Sequence, residues 1–289
     1  MAWSAAHTQL LGWLLALGVL APQQPEILSA DLTPETVEGF NRYVTATESR
    51  IDAELKRPLA FLYLEGLPEP QRGKALALLK RGEIYMERLQ MHDASGRDLK
   101  TPDGLIHHWM GAVFVPCVTL QQTLELVEDY DRHQDIYKPE VIRSKLVSHS
   151  GNDFKIFYRL RKHKVITVTL NTDHDVHYFL VSGQRCYSRS YTTRIQEVAD
   201  VDTPREREKP VGHDGGFLWR MYSYWRFEEK DGGVYIECES VSLTRDIPWY
   251  VSPIVKPFVT DIPKESLQMT MGSTRRALLQ KAPAAVCGK

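Results

Sequence analysis

The chain has 289 residues, of which 43% are hydrophobic and 25% are charged. This composition is typical of a globular protein and excludes a largely disordered chain, and a mean hydropathy of −0.34 excludes a multi-span membrane protein. The 36 basic and 37 acidic side chains give a formal net charge of −1. The chain as a whole therefore has no electrostatic preference for nucleic acid or for an anionic membrane.

The first apolar segment runs from Leu10 to Ala21 without a charged residue. It is shorter than the roughly 20 residues of a membrane span and is typical of the core of a secretory signal peptide. We therefore predict a signal peptide at residues 1–21 and a protein that is exported to the periplasm or secreted. Cleavage after Ala30 is a second option because Pro22 directly follows Ala21. The alternatives are an uncleaved amphipathic terminus and a misassigned start codon.

The four cysteines, Cys117, Cys186, Cys238 and Cys287, are widely spaced and form no C-x-x-C pair. This spacing argues against a zinc ribbon or a redox motif. We interpret the first three as buried small apolar side chains. Export would permit one disulfide bond, and its candidate pair is Cys186–Cys238.

Residues 31–80 have the features of a helical region. Thr33 followed by Pro34 is typical of a capped helix start with proline at the first position. Residues 83–91 and 105–115 are two strand-like segments joined by a turn-rich stretch, which predicts a hairpin with a long loop.

The middle of the chain is predicted to form one short helix followed by strands. A helix is predicted over 119–131, where apolar residues recur at helical spacing. From residue 141 to 243 the pattern alternates between apolar and polar residues, as in a sheet with one covered face. The predicted strands are 154–161, 165–170, 187–198, 217–228 and 234–244.

The last two strands allow a register to be predicted. Asp231-Gly232 is a strong two-residue hairpin turn. With this turn at the tip, the register pairs Phe227 with Ile236, Trp225 with Cys238, Arg226 with Glu237 and Tyr224 with Glu239. A slip by one residue would turn the apolar side chains to the wrong face.

One face of these strands is expected to meet the C-terminal helix. The predicted concave face carries Trp219, Met221, Trp225, Phe227 and Ile236. The helix is predicted to open near Asp261 and Pro263, with Leu267, Met271, Thr274 and Leu278 in one stripe. Bulky aromatic side chains opposite small or flexible ones can enclose a cavity, although the pattern alone favours an ordinary packed core.

Two carboxylates, Glu237 and Glu239, are the first candidates for catalysis. On a strand their side chains point to the same face about 7 Å apart, and carboxylates at such separations serve as general acid and base. The predicted register also places Arg226 opposite Glu237, as in a cross-strand ion pair. A structural pair is favoured, and no residue is assigned a catalytic role.

No metal, nucleotide or nucleophile motif is complete in the sequence. His174 and His177 lie three residues apart and His107 and His108 are adjacent, and on a strand either odd spacing sends the two side chains to opposite faces. The glycines near Lys74 have the wrong spacing for a phosphate loop, and G-x-S-x-G is absent. We predict no metal site and no cofactor.

Residues 138–164 form a basic segment with eight Lys or Arg and two Asp or Glu. Lys155, Arg159 and Arg161 share one predicted sheet face. An anionic lipid headgroup or RNA could use this face, but Phe157 is the only interleaved aromatic residue and a stacking platform needs more. A solvated sheet face is favoured, and no nucleic-acid partner is expected.

Five stretches of the sequence carry a resemblance to known proteins: HHWMGAVFVP (107–116), DYDRHQDIYKPEV (129–141), RSYTTRIQEV (189–198), GGFLWRMYSYWRFEEKDGGVYIECESVSLTRDIPWYV (215–251) and IPKESLQMTMGSTRRALL (262–279). They resemble the START-like, polyketide-cyclase (SRPBCC) superfamily, and within it an exported bacterial group. The resemblance covers roughly residues 105–279. It implies an α+β helix-grip fold, in which a curved antiparallel sheet wraps around a long C-terminal helix.

The resemblance also implies an internal cavity for lipids, sterols, polyketides or other hydrophobic molecules. A few members catalyse cyclisation or hydrolysis, and many only bind or carry. No shared catalytic motif maps onto this sequence, so no catalytic residue is carried over. The N-terminal helices lie outside the resemblance and are expected to cover the outer sheet face at Tyr222, Val241 and Leu243.

The expected organisation is a signal peptide at 1–21, an N-terminal helical extension with a hairpin strand at 31–100, a START-like helix-grip domain at 105–281 and a flexible tail at 282–289. The expected function is that of an exported, non-enzymatic binding or carrier protein for a hydrophobic small molecule or lipid, with transient membrane contact. The predicted ligand-binding residues are Trp219, Met221, Trp225, Phe227, Ile236, Leu267, Met271 and Thr274, with Tyr224 or Arg220 to orient a headgroup.

Two alternatives stay open. One is a cyclase-like or hydrolase-like enzyme that acts on a hydrophobic substrate with Glu237, Glu239 or a cavity tyrosine. The other is an interaction module whose cavity has closed. A cavity above roughly 300 Å³ favours binding, and a smaller one favours interaction.

Overall fold

The computed structural model describes residues 29–58, 60–164, 166–247 and 261–281. The predicted signal peptide and the tail at 282–289 lie outside these residues and stay predictions.

The described residues form five helices and eleven strands. The helices are α1 (Pro34–Leu55), α2 (Gln71–Lys80), α3 (Leu120–Val127), α4 (His133–Ile136) and α5 (Ile262–Lys281), with single 3-10 turns at Leu64–Gly66 and Tyr130–Arg132. The strands are β1 (Ala30–Asp31), β2 (Tyr85–Arg88), β3 (Gly104–Pro116), β4 (Val141–Ser150), β5 (Asp153–His163), β6 (Thr167–Ser182), β7 (Arg185–Ala199), β8 (Arg207–Glu208), β9 (His213–Asp214), β10 (Arg220–Lys230) and β11 (Gly233–Arg245). None of these helices is long and apolar enough to cross a membrane.

The main sheet is antiparallel and has the strand order β2–β3–β11–β10–β7–β6–β5–β4, with β8 beside β7. Helix α5 packs against one face, which we call the inner face. Helix α1 packs against the opposite, outer face. The predicted α+β fold, a curved antiparallel sheet with a long C-terminal helix and an N-terminal helical extension, is confirmed.

The hairpin of β10 and β11 has the predicted register. Phe227 lies opposite Ile236 and Arg226 lies opposite Glu237. Asp231 and Gly232 form the turn with φ of 57° and 74°, which is the left-handed conformation that a two-residue hairpin turn of this kind requires at both positions.

Strand β6 is longer than predicted. The sequence predicts a strand over 165–170, but β6 continues to Ser182. The added stretch is polar on both faces, since Asp173 and Asp175 alternate with the buried His174. The alternating pattern of apolar residues therefore stops before the strand does. The remaining residues belong to β6 because they pair with β5 and β7.

Helix α1 begins as predicted and covers the outer face. The side chain of Thr33 accepts a hydrogen bond from the backbone N–H of Thr36, and Pro34 is the first helical residue. Phe40 of α1 packs in one buried cluster with Val241 and Leu243 of β11. The expectation that N-terminal helices cover this face is confirmed for these two residues.

The outer face also contains buried charges. Glu239 accepts hydrogen bonds from Arg50 of α1 and, at 2.6 Å, from Nε2 of His108 on β3. Burial alone would raise the pKa of Glu239, but these two partners outweigh burial and lower the pKa to about 2. The carboxylate therefore stays ionised and links helix α1 to the sheet.

The expected ion pair between Arg226 and Glu237 is replaced by contacts with the N-terminal region. Arg226 donates to Glu54 of α1 at 2.6 Å and to the carbonyl oxygen of Phe61 at 3.2 Å. Glu237 accepts from the backbone N–H groups of Tyr63 at 2.7 Å and Leu64 at 3.0 Å. Burial raises the pKa of Glu237 to about 7, against the opposing effect of Arg226 and the two N–H groups.

The proposed Cys186–Cys238 disulfide is not formed. Both cysteines are free and buried on the inner face. Cys186 lies opposite Phe227, whereas Cys238 lies opposite Trp225, so strand β10 separates them. Two strand spacings amount to about 10 Å, beyond the reach of a disulfide. Cys117, which we expected to be a buried thiol, is disulfide-bonded.

The contact between Glu239 and Arg50 predicts a large effect of one substitution on stability. In Glu239→Gln, Arg50 and His108 lose the buried charge that they face, and we expect the free energy of unfolding to fall by about 3 kcal/mol. The measurement is urea unfolding at pH 7, followed by far-ultraviolet circular dichroism.

The matched control is Glu38→Gln on the same helix. Glu38 pairs with Arg42 at the surface, where both side chains are more than half exposed, and exposed pairs of this kind contribute little. We expect no measurable change. Equal effects of the two substitutions would show that the buried pair does not hold α1 to the sheet.

Candidate functional site

A cavity of about 230 Å³ lies between the inner face of the sheet, the first half of α5 and the segment that contains α3 and α4. Most of its wall is apolar or aromatic. The wall includes Val127, Ile156, Leu160, Leu170, Val176, Phe217, Met221, Trp225, Phe227 and Leu267. The inner face therefore carries both a cavity and a packed core beside it.

Four of the eight predicted ligand-binding residues line this cavity. Met221, Trp225 and Phe227 reach it from β10, and Leu267 reaches it from α5. The rings of Trp225 and Phe227 are stacked, with centroids 5.9 Å apart and planes at 6°. The period-two pattern of β10 places these residues correctly because each lies two positions from the next.

Three other predicted residues lie on the inner face but outside the cavity wall. Ile236 and Met271 are fully buried in the core between the sheet and α5. Met271 packs against Gly111 of β3, where a Cβ atom would approach it to 3.0 Å. Thr274 shares a hydrogen bond of 3.1 Å with the hydroxyl of Tyr137, which does line the cavity.

The prediction that Trp219 lies on the concave face is wrong. Trp219 belongs to the outer cluster with Phe40 of α1, and its indole N–H donates to Asp214 at 3.1 Å. Strand β10 begins at Arg220, so the alternation that places Met221 does not extend to Trp219. The preceding Gly216 has a φ of 67°, and this turn changes the direction of the chain before the strand.

The carboxylates considered for catalysis also lie on the wrong face for the cavity. Glu237 and Glu239 alternate with Cys238 and Ser240, which line the cavity, and are buried under the N-terminal region instead. The hydroxyl of Tyr224 donates to Glu48 of α1 at 3.0 Å, so this tyrosine is also outside the cavity. Arg220 is absent from the described part of the wall as well. An enzyme that uses either carboxylate on a ligand in this cavity is therefore excluded by geometry.

One side of the cavity is a group of tyrosines and histidines that includes two hydrogen-bonded pairs. Tyr130 and Tyr178 share a hydrogen bond of 2.9 Å between their hydroxyls, and Nδ1 of His133 shares one of 2.6 Å with the hydroxyl of Tyr158. Burial lowers the pKa of His133 to about 4 and raises that of Tyr158 well above its usual value. This side of the wall is therefore polar but uncharged at neutral pH.

The opposite side carries a row of hydroxyl groups across three strands. Ser190 of β7, Ser223 of β10 and Ser240 of β11 are direct neighbours in the sheet register, and all three line the cavity. Their side chains make no hydrogen bond with another described residue. A polar atom of a bound molecule could accept from or donate to these hydroxyls.

An ion pair lies at the end of the cavity where α5 begins. Nζ of Lys162 on β5 donates to Glu140 and, at 2.7 Å, to the hydroxyl of Ser266 on α5. All three residues line the cavity. Among the described residues, no group of three His, Cys, Asp or Glu side chains could hold a metal ion.

The sequence analysis missed the contribution of β6 and of the segment around α4. His174 and Tyr178 of β6 line the cavity, but this part of the strand was not predicted. Tyr158 and Leu160 of β5 alternate with Arg159 and Arg161 in the predicted strand 154–161, and that alternation is the signal that could have placed them on the wall. His133 gave no such signal because its position depends on a four-residue helix.

The basic face predicted on β5 is an outer surface with acidic partners. Lys155 pairs with Asp175 at 2.8 Å, and Arg161 pairs with Asp202 at 2.9 Å. Arg159 makes two hydrogen bonds of 2.8 Å to the carboxylate of Glu206. These charges are neutralised by neighbours, which agrees with the favoured interpretation of a solvated sheet face.

Comparison with known proteins gives structural neighbours only. No protein-family model and no curated protein matches the sequence. Among solved structures, the chain is similar to the Thermus thermophilus protein TTHA0849, with 11% identity and a TM-score of 0.43 over 60% of this chain and 98% of that one.

Two further neighbours have descriptions that concern ligands. A STAR-related lipid transfer protein from Xanthomonas axonopodis has 13% identity and a TM-score of 0.42, over 66% of this chain and 98% of that one. The Zhui aromatase/cyclase from a Streptomyces species has 11% identity and a TM-score of 0.42, over 63% and 98% of the two chains.

The buried histidine on the cavity wall predicts a pH dependence of stability. Burial lowers the pKa of His174 from 6.5 to about 4, although Asp175 opposes the shift. Between these values the unfolded chain binds the proton and the folded chain does not. The stabilisation is therefore complete above about pH 6.5 and is lost as the pH falls toward 4, by up to about 3 kcal/mol.

The measurement compares the wild type with His174→Gln by urea unfolding at several pH values between 7 and 4. Other titrating groups, including Glu237, are common to both proteins and cancel in the difference. We expect the wild type to lose stability relative to the variant as the pH falls. Parallel curves would contradict the lowered pKa.

Proposed function

We propose that this chain binds a small, mainly apolar molecule in the cavity between the inner face of the sheet and α5. The observation that carries the proposal is the composition of the wall, where apolar and aromatic side chains surround the row of serine hydroxyls. A packed core has few voids larger than a water molecule, and polar groups inside it are normally hydrogen-bonded. Hydroxyls that make no hydrogen bond within the described part of the chain and that line a mainly apolar cavity are typical of the polar groups that orient a ligand in a binding site.

The volume limits the size of the ligand and supports a second candidate. At about 230 Å³ the cavity is below the roughly 300 Å³ that we set as the boundary between binding and interaction. On volume alone, an interaction module with a partly closed cavity is favoured. The composition of the wall favours binding, and the volume then admits a single small ligand, such as one short acyl chain or a compact ring system, as cargo.

The cellular setting stays a prediction. Export depends on the signal peptide predicted at 1–21, which lies outside the described residues, and transient membrane contact is likewise a prediction. We propose an exported binding or carrier protein, without catalysis by Glu237 or Glu239. The buried tyrosines of the wall are weak acids because burial raises their pKa values, so they suit hydrogen bonding to a ligand better than proton transfer.

The direct test is to identify what the purified protein contains. Native mass spectrometry and solvent extraction should show one bound small molecule, and a protein that is emptied by extraction should bind members of a panel of apolar molecules. A protein that arrives empty and ignores the whole panel would support the interaction module instead.

Two tryptophans separate ligand binding from stability. We expect Trp225→Ala to weaken ligand retention about tenfold or more, since it removes a large side chain from the wall. We expect it to lower the melting temperature less than Trp219→Ala does. Trp219→Ala is the matched control because this buried indole packs against α1 on the other face. It should lower the melting temperature strongly and leave ligand affinity unchanged. The opposite result would place the ligand outside this cavity.

A further inference from the structure

Lys162, Glu140 and Ser266 form a compact polar cluster at the α5 end of the cavity. The ammonium of Lys162 donates to a carboxylate oxygen of Glu140 and to the hydroxyl of Ser266, and that hydroxyl donates to the other carboxylate oxygen at 3.2 Å. The side chains of Lys162 and Glu140 are only 14% and 20% exposed. The cluster is therefore a largely buried part of the cavity wall.

The charges of this cluster cancel. Lys162 and Glu140 are the only Lys, Arg, Asp or Glu among the described residues of the wall. The two histidines of the wall, His133 and His174, are neutral at pH 7 because burial lowers their pKa values to about 4. The described part of the cavity wall thus has no net charge at neutral pH.

The ammonium still has one hydrogen-bond donor to offer. A lysine carries three N–H donors, and two of them are used by Glu140 and Ser266. The third has no partner among the described residues. Burial lowers the pKa of Lys162, against the effect of Glu140, so the cluster is sensitive to any change of charge nearby.

We propose that the Lys162–Glu140 pair makes the cavity select an uncharged apolar molecule with one oxygen, such as an alcohol, ester or ketone, over the ionised carboxylate of the same chain length. A neutral oxygen can accept the third N–H of Lys162 without a large loss of hydration. A carboxylate loses much more hydration on entering, and Glu140 already neutralises the cation that it would meet. Glu140 is then the residue that determines specificity.

This inference rests on the proposed function, and its test uses one matched pair of probes. Octanol and octanoate have the same chain, and octanoate is ionised at pH 7. Calorimetric titration of the wild type should give at least about tenfold tighter binding of octanol. In Glu140→Gln an entering octanoate can take the place of the Glu140 carboxylate as the anionic partner of Lys162, so octanoate should gain about tenfold while octanol changes little.

The matched control is Glu265→Gln. Glu265 forms a similar ion pair with Lys164, but its side chain is 52% exposed and it does not line the described cavity. This substitution should leave both affinities unchanged. An equal gain of octanoate binding in both variants would show that overall charge, and not the cluster, sets the preference, and would overturn the inference.

The remaining outcomes distinguish this inference from the proposed function. A wild type that binds both probes equally, or prefers octanoate, overturns the inference and leaves ligand binding intact. If the protein binds neither probe and no other apolar molecule, the proposed function itself is wrong. If Glu140→Gln does not fold, Lys162→Met supplies the test: it should weaken octanol binding several-fold, and an unchanged affinity overturns the inference.

Discussion

Strand β11 of the antiparallel sheet is buried on both faces, and the alternation of side chains along it decides which of two interiors a residue enters. On β11, Cys238 and Ser240 face the cavity, whereas Glu237 and Glu239 face the N-terminal region. A slip of one residue would exchange the two sets and place two carboxylates in the apolar cavity. The turn at Asp231 and Gly232 holds the register that prevents this exchange.

The charged side chains that are buried on the outer face need partners, and α1 and the following loop supply several of them. Charges removed from water need partners of good geometry, because an unpaired buried ion is strongly destabilising. Glu239 finds Arg50 and His108, and Arg226 finds Glu54. These partners come from both sides of the predicted boundary near residue 100. The N-terminal extension and the region after that boundary are therefore energetically coupled, although the sequence pattern separates them.

The parts of the fold that could be predicted depend on neighbours in sequence. The hairpin register follows from a two-residue turn and alternation, and the start of α1 follows from Thr33 and Pro34. Trp219 could not be placed in this way, because a turn at Gly216 and the packing of α1 send it to the outer face. The partners of Glu237 could not be found either, since they are backbone N–H groups about 170 residues earlier in the chain.

The same distinction explains why the cavity itself could be anticipated only in part. A wall made of one strand face is visible as a pattern, as for Met221, Trp225 and Phe227. The volume of a cavity is the difference between the space that distant elements surround and the volume of the side chains that fill it. No local sequence pattern predicts that difference.

The serine hydroxyls on the inner face bear on the role of the cavity. Larger apolar side chains at these positions of β7, β10 and β11 would fill part of the space and bury more apolar surface, yet the chain places small hydroxyl residues there. A molecule of the proposed kind would bury its apolar surface against the aromatic and aliphatic wall and would pair with those hydroxyls. The proposed occupant therefore accounts for both features of the wall together, its small polar residues and its large apolar ones.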